Sequence, residues 1–139
     1  MSTPAGAART LCFLAFDFGT LRVGVATGNT LLGSAQALTT IAAKGDARWL
    51  AIDHLIKQWL PDALVLGVPT HPDGTPHENT RLAQRFGRQL HGRFHLPVHE
   101  VDERWSTTEA LSQRAHDVDA TAAAIILGQY LRARETAHA

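Results

Sequence analysis

Three acidic residues lie at the ends of apolar segments, where packing of a hydrophobic core does not require a carboxylate. Asp17 ends the apolar run LCFLAFD, Glu103 follows the shorter run PVHEVD, and Asp119 opens an apolar helical segment. Burying a carboxylate is costly unless it is hydrogen-bonded, paired with a cation or bound to a metal. If the three acids meet at one edge of a sheet, their oxygens would form a site for Mg²⁺ or Mn²⁺, which prefer oxygen ligands.

Each acid also has a simpler structural interpretation. Asp17 could close a turn through Gly19, and Asp119 could be the N-cap of its helix. Glu103 could pair with a neighbouring cation, either Arg22 or Arg104. Asp102 and Asp117 are competing neighbours, although side-chain alternation would place Asp102 and Glu103 on opposite faces of a strand. The residues alone leave these alternatives open.

The charges are balanced overall and unevenly distributed. There are 13 Lys+Arg against 13 Asp+Glu, which excludes a simple polycation, and eight His residues add a reserve of positive charge at lower pH. The stretch from Thr80 to His99 contains four arginines and no acid. Three of these, Arg81, Arg85 and Arg88, would form one stripe on a helix. Arginine suits phosphate, although such a stripe can also be an ordinary solvated helix face.

Hydrophobic patterning predicts the elements that must position these residues. Apolar or alternating runs predict strands at Leu11 to Asp17, Arg22 to Thr27, Leu31 to Thr40, Ala63 to Val68 and Pro97 to Asp102, the first two forming a hairpin. Apolar residues at three- and four-residue spacing predict helices at Asp46 to Leu60, Glu78 to His91 and about Asp119 to Arg134.

Smaller signals predict how these elements begin, end and pack. We expect Asp46 to be the N-cap of the first helix and Gly92 to end the second. The last helix should bury Ala122, Ile125, Ile126 and Tyr130. The segment Thr70 to His77 has the composition of a loop, and a capping box at Ser106 to Glu109 predicts an additional short helix.

This order predicts an α/β fold in which an antiparallel meander and two further strands form one mixed sheet flanked by helices. The chain of 139 residues favours a single domain over residues 11–135, after a flexible N-terminal segment at residues 1–10. The single cysteine, Cys12, excludes an intramolecular disulfide and indicates a cytoplasmic protein. No apolar run has the length of a membrane span, and no leader peptide is expected.

Four blocks of the chain, in order, resemble the motifs of the YqgF-type proteins. They are DFGTLRVGVA from Asp17, LGVP from Leu66 followed by Asp73-Gly74, DERWSTT from Asp102, and DATAAAIIL from Asp119. These proteins are proposed nucleases of the RNase H-like and Holliday-junction-resolvase superfamily. The resemblance covers about Leu11 to Leu131. Two departures are a short segment between Ser106 and Asp119, and Trp105 where an aliphatic residue is usual.

The resemblance implies a cytoplasmic enzyme that trims the 5′ end of precursor 16S rRNA during ribosome assembly. It also implies a two-metal phosphodiester hydrolysis with Mg²⁺ or Mn²⁺. Asp17, Glu103 and Asp119 would then be the catalytic, metal-binding acids. The residues suited to holding nucleic acid would be Arg22, Arg104, Thr107 and Thr108, joined by Arg81, Arg85 and Arg88.

The expected partners are nucleic acid and possible ribosomal assembly intermediates, with no membrane and with the protein a monomer or homodimer. One alternative is resolution of four-way DNA junctions, which needs two active sites and therefore a dimer. Another is a non-catalytic module that binds nucleic acid or the ribosome. DFGT also resembles the phosphate loop of actin-like kinases, but those enzymes need a second domain that 139 residues cannot supply.

Overall fold

The computed structural model describes residues 10–19, 21–69, 78–102 and 118–137, apart from the side chains of residues 118, 119 and 135–137. In these residues the chain forms five strands and three helices. The strands are β1 (Cys12–Phe18), β2 (Val23–Asn29), β3 (Ala35–Ile41), β4 (Ala63–Val68) and β5 (Val98–Asp102). The helices are α1 (Gly45–Trp59), α2 (Glu78–Phe94) and α3 (Val118–Ala137).

The strands form one mixed sheet in the order β3-β2-β1-β4-β5. The meander from β1 to β3 is antiparallel, β4 lies parallel to β1 on its other side, and β5 lies parallel to β4. The nearly continuous apolar runs of β1 and β4 occupy the interior of the sheet, where both faces of a strand are covered. The predicted mixed five-stranded sheet is therefore confirmed.

Alternate residues of β1 face two different helical layers. Leu14 and Phe16 belong to a core shared with Ile52 of α1 and Phe86 of α2. Phe13 and Ala15 belong to a second core, together with three residues of α3: Ala123, Ile126 and Leu127. Because side chains alternate along a strand, Asp17 continues the series of Phe13 and Ala15 and lies on the α3 side of the sheet.

The third strand begins later than predicted, at Ala35 rather than Leu31. Leu31 and Leu32 are 76% and 73% exposed, because they belong to the turn that follows β2. Asn29 Oδ1 accepts a hydrogen bond from the Leu32 N–H at 2.8 Å, and Gly33 adopts a φ of 67°. This turn chemistry overrides the apolar pattern.

Two predicted helix boundaries are wrong. The N-cap of α1 is Lys44, whose side chain makes no capping hydrogen bond within the described structure. Asp46 lies inside the first turn, where its negative charge interacts favourably with the helix dipole. Gly92 does not end α2, which continues to Phe94. The chain leaves the helix at His95, which has a φ of 57° and whose N–H donates to the His91 carbonyl at 2.9 Å.

The long helix α3 covers one face of the sheet. Ala122 and Ile126 are buried as predicted, whereas Ile125 and Tyr130 are half-buried. The predicted loop Thr70 to His77 and the predicted short helix at Ser106 lie outside the described residues. Within the part of the chain that the structure describes, no helix is both long and apolar enough to cross a membrane.

Candidate functional site

Asp17 lies near the carboxyl end of the central strand, between two glycines. It pairs with Gly24 of β2 in the antiparallel direction and with Gly67 of β4 in the parallel direction. Residues paired directly across strands share a face of the sheet. Neither residue paired directly with the half-buried Asp17 therefore carries a side chain.

The same register continues to the two outer strands. Thr40 of β3 pairs with Gly24, and Val101 of β5 pairs with Gly67. These five residues, Thr40, Gly24, Asp17, Gly67 and Val101, are called the Asp17 row below. Thr40 Oγ1 is a buried oxygen that makes no hydrogen bond to any residue the structure describes. The row thus combines a carboxylate, an unsatisfied hydroxyl and two glycines.

Sequence patterns gave no indication of Thr40, because its place in the row depends on strand register. The two glycines are a weak signal in the sequence, since each interrupts an otherwise apolar run, VGVA or LVLGV. A glycine inside a strand often marks close approach of a ligand or another backbone. The cross-strand pairing shows that both glycines lie directly beside Asp17.

The turn after β1 holds Arg22 at the same edge of the sheet as Asp17. A Cβ atom on Gly19 would lie 2.6 Å from the Arg22 carbonyl oxygen, so only glycine fits this turn. Arg22 is exposed and immediately precedes Val23, which pairs with Phe18. A cation is therefore placed close in sequence and in space to the candidate carboxylate.

The remaining acids of the predicted set fall at the limits of the described structure. Glu103 follows Asp102, the last residue of β5, which pairs with Val68 of β4. Glu103 itself lies outside the described residues, as do Arg104, Thr107 and Thr108. Asp119 is the second residue of α3, and its side chain is not described. Among the described side chains, no three His, Cys, Asp or Glu residues form a metal-binding group.

The arginine stripe lies on the other side of the sheet. Arg81, Arg85 and Arg88 are exposed on α2, whose Phe86 ring packs 6.0 Å from Phe16 in the core opposite α3. Thr80 Oγ1 donates a hydrogen bond to the carbonyl of Pro69, the residue after β4. The first turn of α2 is thereby tied to the carboxyl edge of the sheet. Arg81 lies in that turn, and Arg88 lies about 10 Å further along the helix.

Two other arginines have structural surroundings that the charge pattern did not predict. Arg48 is 8% exposed, its Nε donates to the Ala43 carbonyl at 2.9 Å, and burial lowers the pKa of its guanidinium. Arg93 lies over the Trp49 ring, 4.3 Å from its centroid. Arg93 belongs to the acid-free stretch by sequence, yet it packs against α1 rather than joining the exposed stripe.

Comparisons with known proteins agree with the motifs. The RuvX family, described as a Holliday junction resolvase, matches residues 11–133. Proteins named "Putative pre-16S rRNA nuclease" from Albidiferax ferrireducens and Polaromonas sp. are 62% and 63% identical to this chain. The alignments cover 91% and 86% of this chain and 81% and 87% of the relatives. A protein of that name from Paraburkholderia phytofirmans is 53% identical over 94% of this chain and 93% of its own length.

A solved structure shows the same architecture. RuvC from T. thermophilus, in complex with a Holliday junction substrate, superposes with a TM-score of 0.56 at 14% sequence identity. The superposition covers 90% of this chain and 96% of that one. At this identity the likeness establishes the fold, and it confirms the predicted α/β, RNase H-like mixed sheet. From the family match and the high identity to its relatives, we conclude that this chain belongs to the RuvX (YqgF-type) family.

Proposed function

We propose that this protein is a metal-dependent nuclease that processes the 5′ end of precursor 16S rRNA during ribosome assembly. The names of relatives that match over most of their length support the substrate. The observation that carries the chemistry is the position of Asp17, a carboxylate between two glycines at the carboxyl end of the central strand. Assembly intermediates that contain the precursor are the expected partners.

The described residues of the Asp17 row fit a hydrated divalent ion. Asp17 offers carboxylate oxygens, and its direct partners Gly24 and Gly67 have no side chains that would compete with a ligand for them. Thr40 adds a buried hydroxyl whose hydrogen-bonding capacity is unused among the described residues. Mg²⁺ and Mn²⁺ prefer oxygen ligands, and Mg²⁺ usually keeps several waters. The donors present therefore match the chemistry of these ions.

Asp17, Glu103 and Asp119 are the residues that would hold the metal. The direction of α3 supports a place for Asp119 near Asp17, because the late residue Tyr130 packs 5.3 Å from Phe13, near the start of β1. Asp119 lies about 16 Å before Tyr130 along the helix axis. When bound, a pair of divalent ions would activate the attacking water and stabilise the leaving oxygen of the phosphodiester.

The basic residues would position the phosphate backbone. Arg22 is held beside the site by the tight turn at Gly19, and its planar guanidinium can donate two parallel hydrogen bonds to one phosphate. Arg104, Thr107 and Thr108 have the same role by motif. Each of these groups contacts phosphate rather than base edges, so together they fix the strand without reading its sequence.

Arg81, Arg85 and Arg88 would guide a flanking part of the substrate. Because α2 and Asp17 lie on opposite faces of the sheet, the nucleic acid must pass around the carboxyl edge to meet both. Arg81 is the first of the three that such a path reaches. If the ions neutralise the three metal-binding acids, 13 cations remain against 10 acids. The metal-bound protein would then carry a net positive charge, which attracts phosphate.

A second candidate function is cleavage of four-way DNA junctions at the same site. It is favoured by the description of the matching family as a Holliday junction resolvase. Cutting both arms of a symmetric junction needs two active sites, so this function requires a homodimer. The metal chemistry would be unchanged, and the substrate and the oligomeric state distinguish the two candidates.

A cleavage assay with both substrates tests the proposal. Purified protein is incubated with 3′-labelled precursor 16S rRNA or with a labelled four-way DNA junction, in Mg²⁺, Mn²⁺ or EDTA. We expect metal-dependent shortening of the RNA and no cleavage in EDTA. Symmetric cutting of the junction alone would support the second candidate instead. Cleavage that persists in excess EDTA would overturn the metal-dependent mechanism for both.

A further inference from the structure

The hydroxyl of Thr40 lies buried in the sheet and makes no hydrogen bond to any part of the chain that the structure describes. An unsatisfied buried polar atom destabilises a protein and is rare in native structures. A valine would fill the same volume in this strand without the unpaired oxygen. Something other than the described residues is therefore expected to bind the Thr40 hydroxyl.

The register places this hydroxyl in line with Asp17. Thr40, Gly24 and Asp17 are directly paired across three adjacent strands. Ile41 packs in the core on the α1 and α2 side, so Thr40 has its side chain on the α3 side, as Asp17 does. Adjacent Cα atoms in antiparallel pairs are about 5 Å apart, which puts the Thr40 and Asp17 Cα atoms about 10 Å apart.

Gly24 has no side chain that could stand between Thr40 and Asp17 in the row. A divalent ion binds oxygen at about 2.1 Å, and a water on that ion reaches a second oxygen at about 2.8 Å. The path from the Asp17 oxygen through the ion and its water to the Thr40 hydroxyl contains two metal–oxygen distances and one hydrogen bond, so it would span up to about 7 Å. That span is compatible with side chains that lean toward each other across a single glycine.

We propose that Thr40 is a positioning residue of the Asp17 site. Its hydroxyl hydrogen-bonds a water molecule carried by the metal that Asp17 binds, and so it orients the hydrated ion. This inference rests on the proposed function, and it adds a residue from β3 that none of the four sequence motifs contains. The role is hydrogen bonding to bound water, not direct contact with the scissile phosphate.

The test compares Thr40→Val with Thr40→Ser and with the control Thr39→Val. Thr39 is exposed and next to Thr40 in the strand, so its side chain lies on the opposite face. Two properties of the full chain are measured: the thermal midpoint in EDTA, and the dissociation constant for Mn²⁺ by calorimetry. The thermal midpoint in EDTA shows how much the unsatisfied hydroxyl destabilises the metal-free protein. The Mn²⁺ dissociation constant shows whether the hydroxyl contributes to metal binding.

We expect Thr40→Val to melt at or above the wild-type midpoint in EDTA and to bind Mn²⁺ about 10-fold more weakly. Thr40→Ser should keep wild-type Mn²⁺ affinity, and Thr39→Val should leave it unchanged. Wild-type Mn²⁺ affinity in Thr40→Val would overturn the inference. So would a lowered midpoint in EDTA, because it would show that the hydroxyl stabilises the protein without metal.

Asp17→Asn, measured for Mn²⁺ binding in the same way, separates this inference from the proposed function. If Asp17→Asn loses Mn²⁺ binding while Thr40→Val keeps it, the metal site stands and only the role of Thr40 is wrong. If Asp17→Asn binds Mn²⁺ as the wild type does, the proposed metal site itself is wrong.

Discussion

Asp17 and Gly67 lie directly opposite each other on the adjacent parallel strands β1 and β4. A residue with a side chain at position 67 would stand next to the Asp17 carboxylate on the same face of the sheet. Glycine instead leaves bare backbone there, as Gly24 does on the other side. Neither of the two residues paired directly with Asp17 therefore competes with a ligand for its carboxylate.

Removing the charges of Arg81, Arg85 and Arg88 should weaken nucleic-acid binding and reduce its salt dependence. Each phosphate contact contributes about 0.7 to the slope of log affinity against log salt for a single strand. The triple glutamine variant should therefore lower the slope by up to about 2. Binding of the precursor RNA is measured from 50 to 300 mM salt. Of the single variants, Arg81→Gln should have the largest effect, because Arg81 lies nearest the carboxyl edge.

Lys57→Gln is the control for this charge removal. Lys57 is an exposed cation in the last turn of α1, where its Nζ lies 2.9 Å from Asp53 Oδ2. Its loss should leave the salt slope of RNA binding unchanged. An unchanged slope in the triple arginine variant would show that the stripe is only a solvated helix face.

Asp62→Ala should lower stability and spare nuclease activity. Asp62 Oδ2 accepts a hydrogen bond from the Cys12 N–H at 2.8 Å, at the opposite end of β1 from Asp17. Leaving that partly buried N–H without its acceptor costs about 1–3 kcal/mol. Urea denaturation gives the free energy of unfolding, and the cleavage rate is measured well below the denaturation midpoint. Loss of activity in the folded variant would show that the two ends of β1 are not independent.

Alanine at Gly87 and at Gly92 should change stability in opposite directions, although both residues lie in α2. A Cβ on Gly87 would lie 2.9 Å from Leu66 Cδ2, a fully buried side chain, and overpacking of this kind costs about 1–3 kcal/mol. A Cβ on Gly92 would meet no atom of the described residues within 4 Å, so the higher helix propensity of alanine should stabilise the protein by about 0.5–1 kcal/mol. Urea denaturation of both variants checks the signs. Equal effects would contradict the observed approach of α2 to β4.

Much of the fold can be predicted from the sequence, because long apolar runs and helical periods are local properties. The run before Asp17 and the run ALVLGV specify buried strands, and β4 has the bounds that its pattern predicts. The start of β3 and the end of α2 could not be predicted from apolar residues or a glycine alone. Leu31 is exposed in a turn, and no described residue packs at Gly92 in a way that would require the helix to stop.

The candidate site was predictable only in part, for a different physical reason. Asp17 can be identified from the linear sequence, because it is a carboxylate at the end of an apolar run. The pairing of Asp17 with Gly24 and Gly67, and the alignment of Thr40 beyond them, are consequences of register between strands. Sequence periodicity does not specify that register. Likewise, the stripe of arginines was predictable, but its place on the face opposite Asp17 was not.

The most direct test of the central claim is the cleavage rate of Asp17→Asn beside that of Asp53→Asn. Each variant removes one negative charge, but Asp53 lies on α1 and pairs with Lys57. Circular dichroism and urea denaturation of both proteins establish that they are folded. With precursor 16S rRNA and Mg²⁺ or Mn²⁺, we predict that Asp17→Asn loses at least about 100-fold in rate, which corresponds to roughly 2.7 kcal/mol of transition-state stabilisation, while Asp53→Asn keeps wild-type activity. Wild-type cleavage by folded Asp17→Asn would contradict the account.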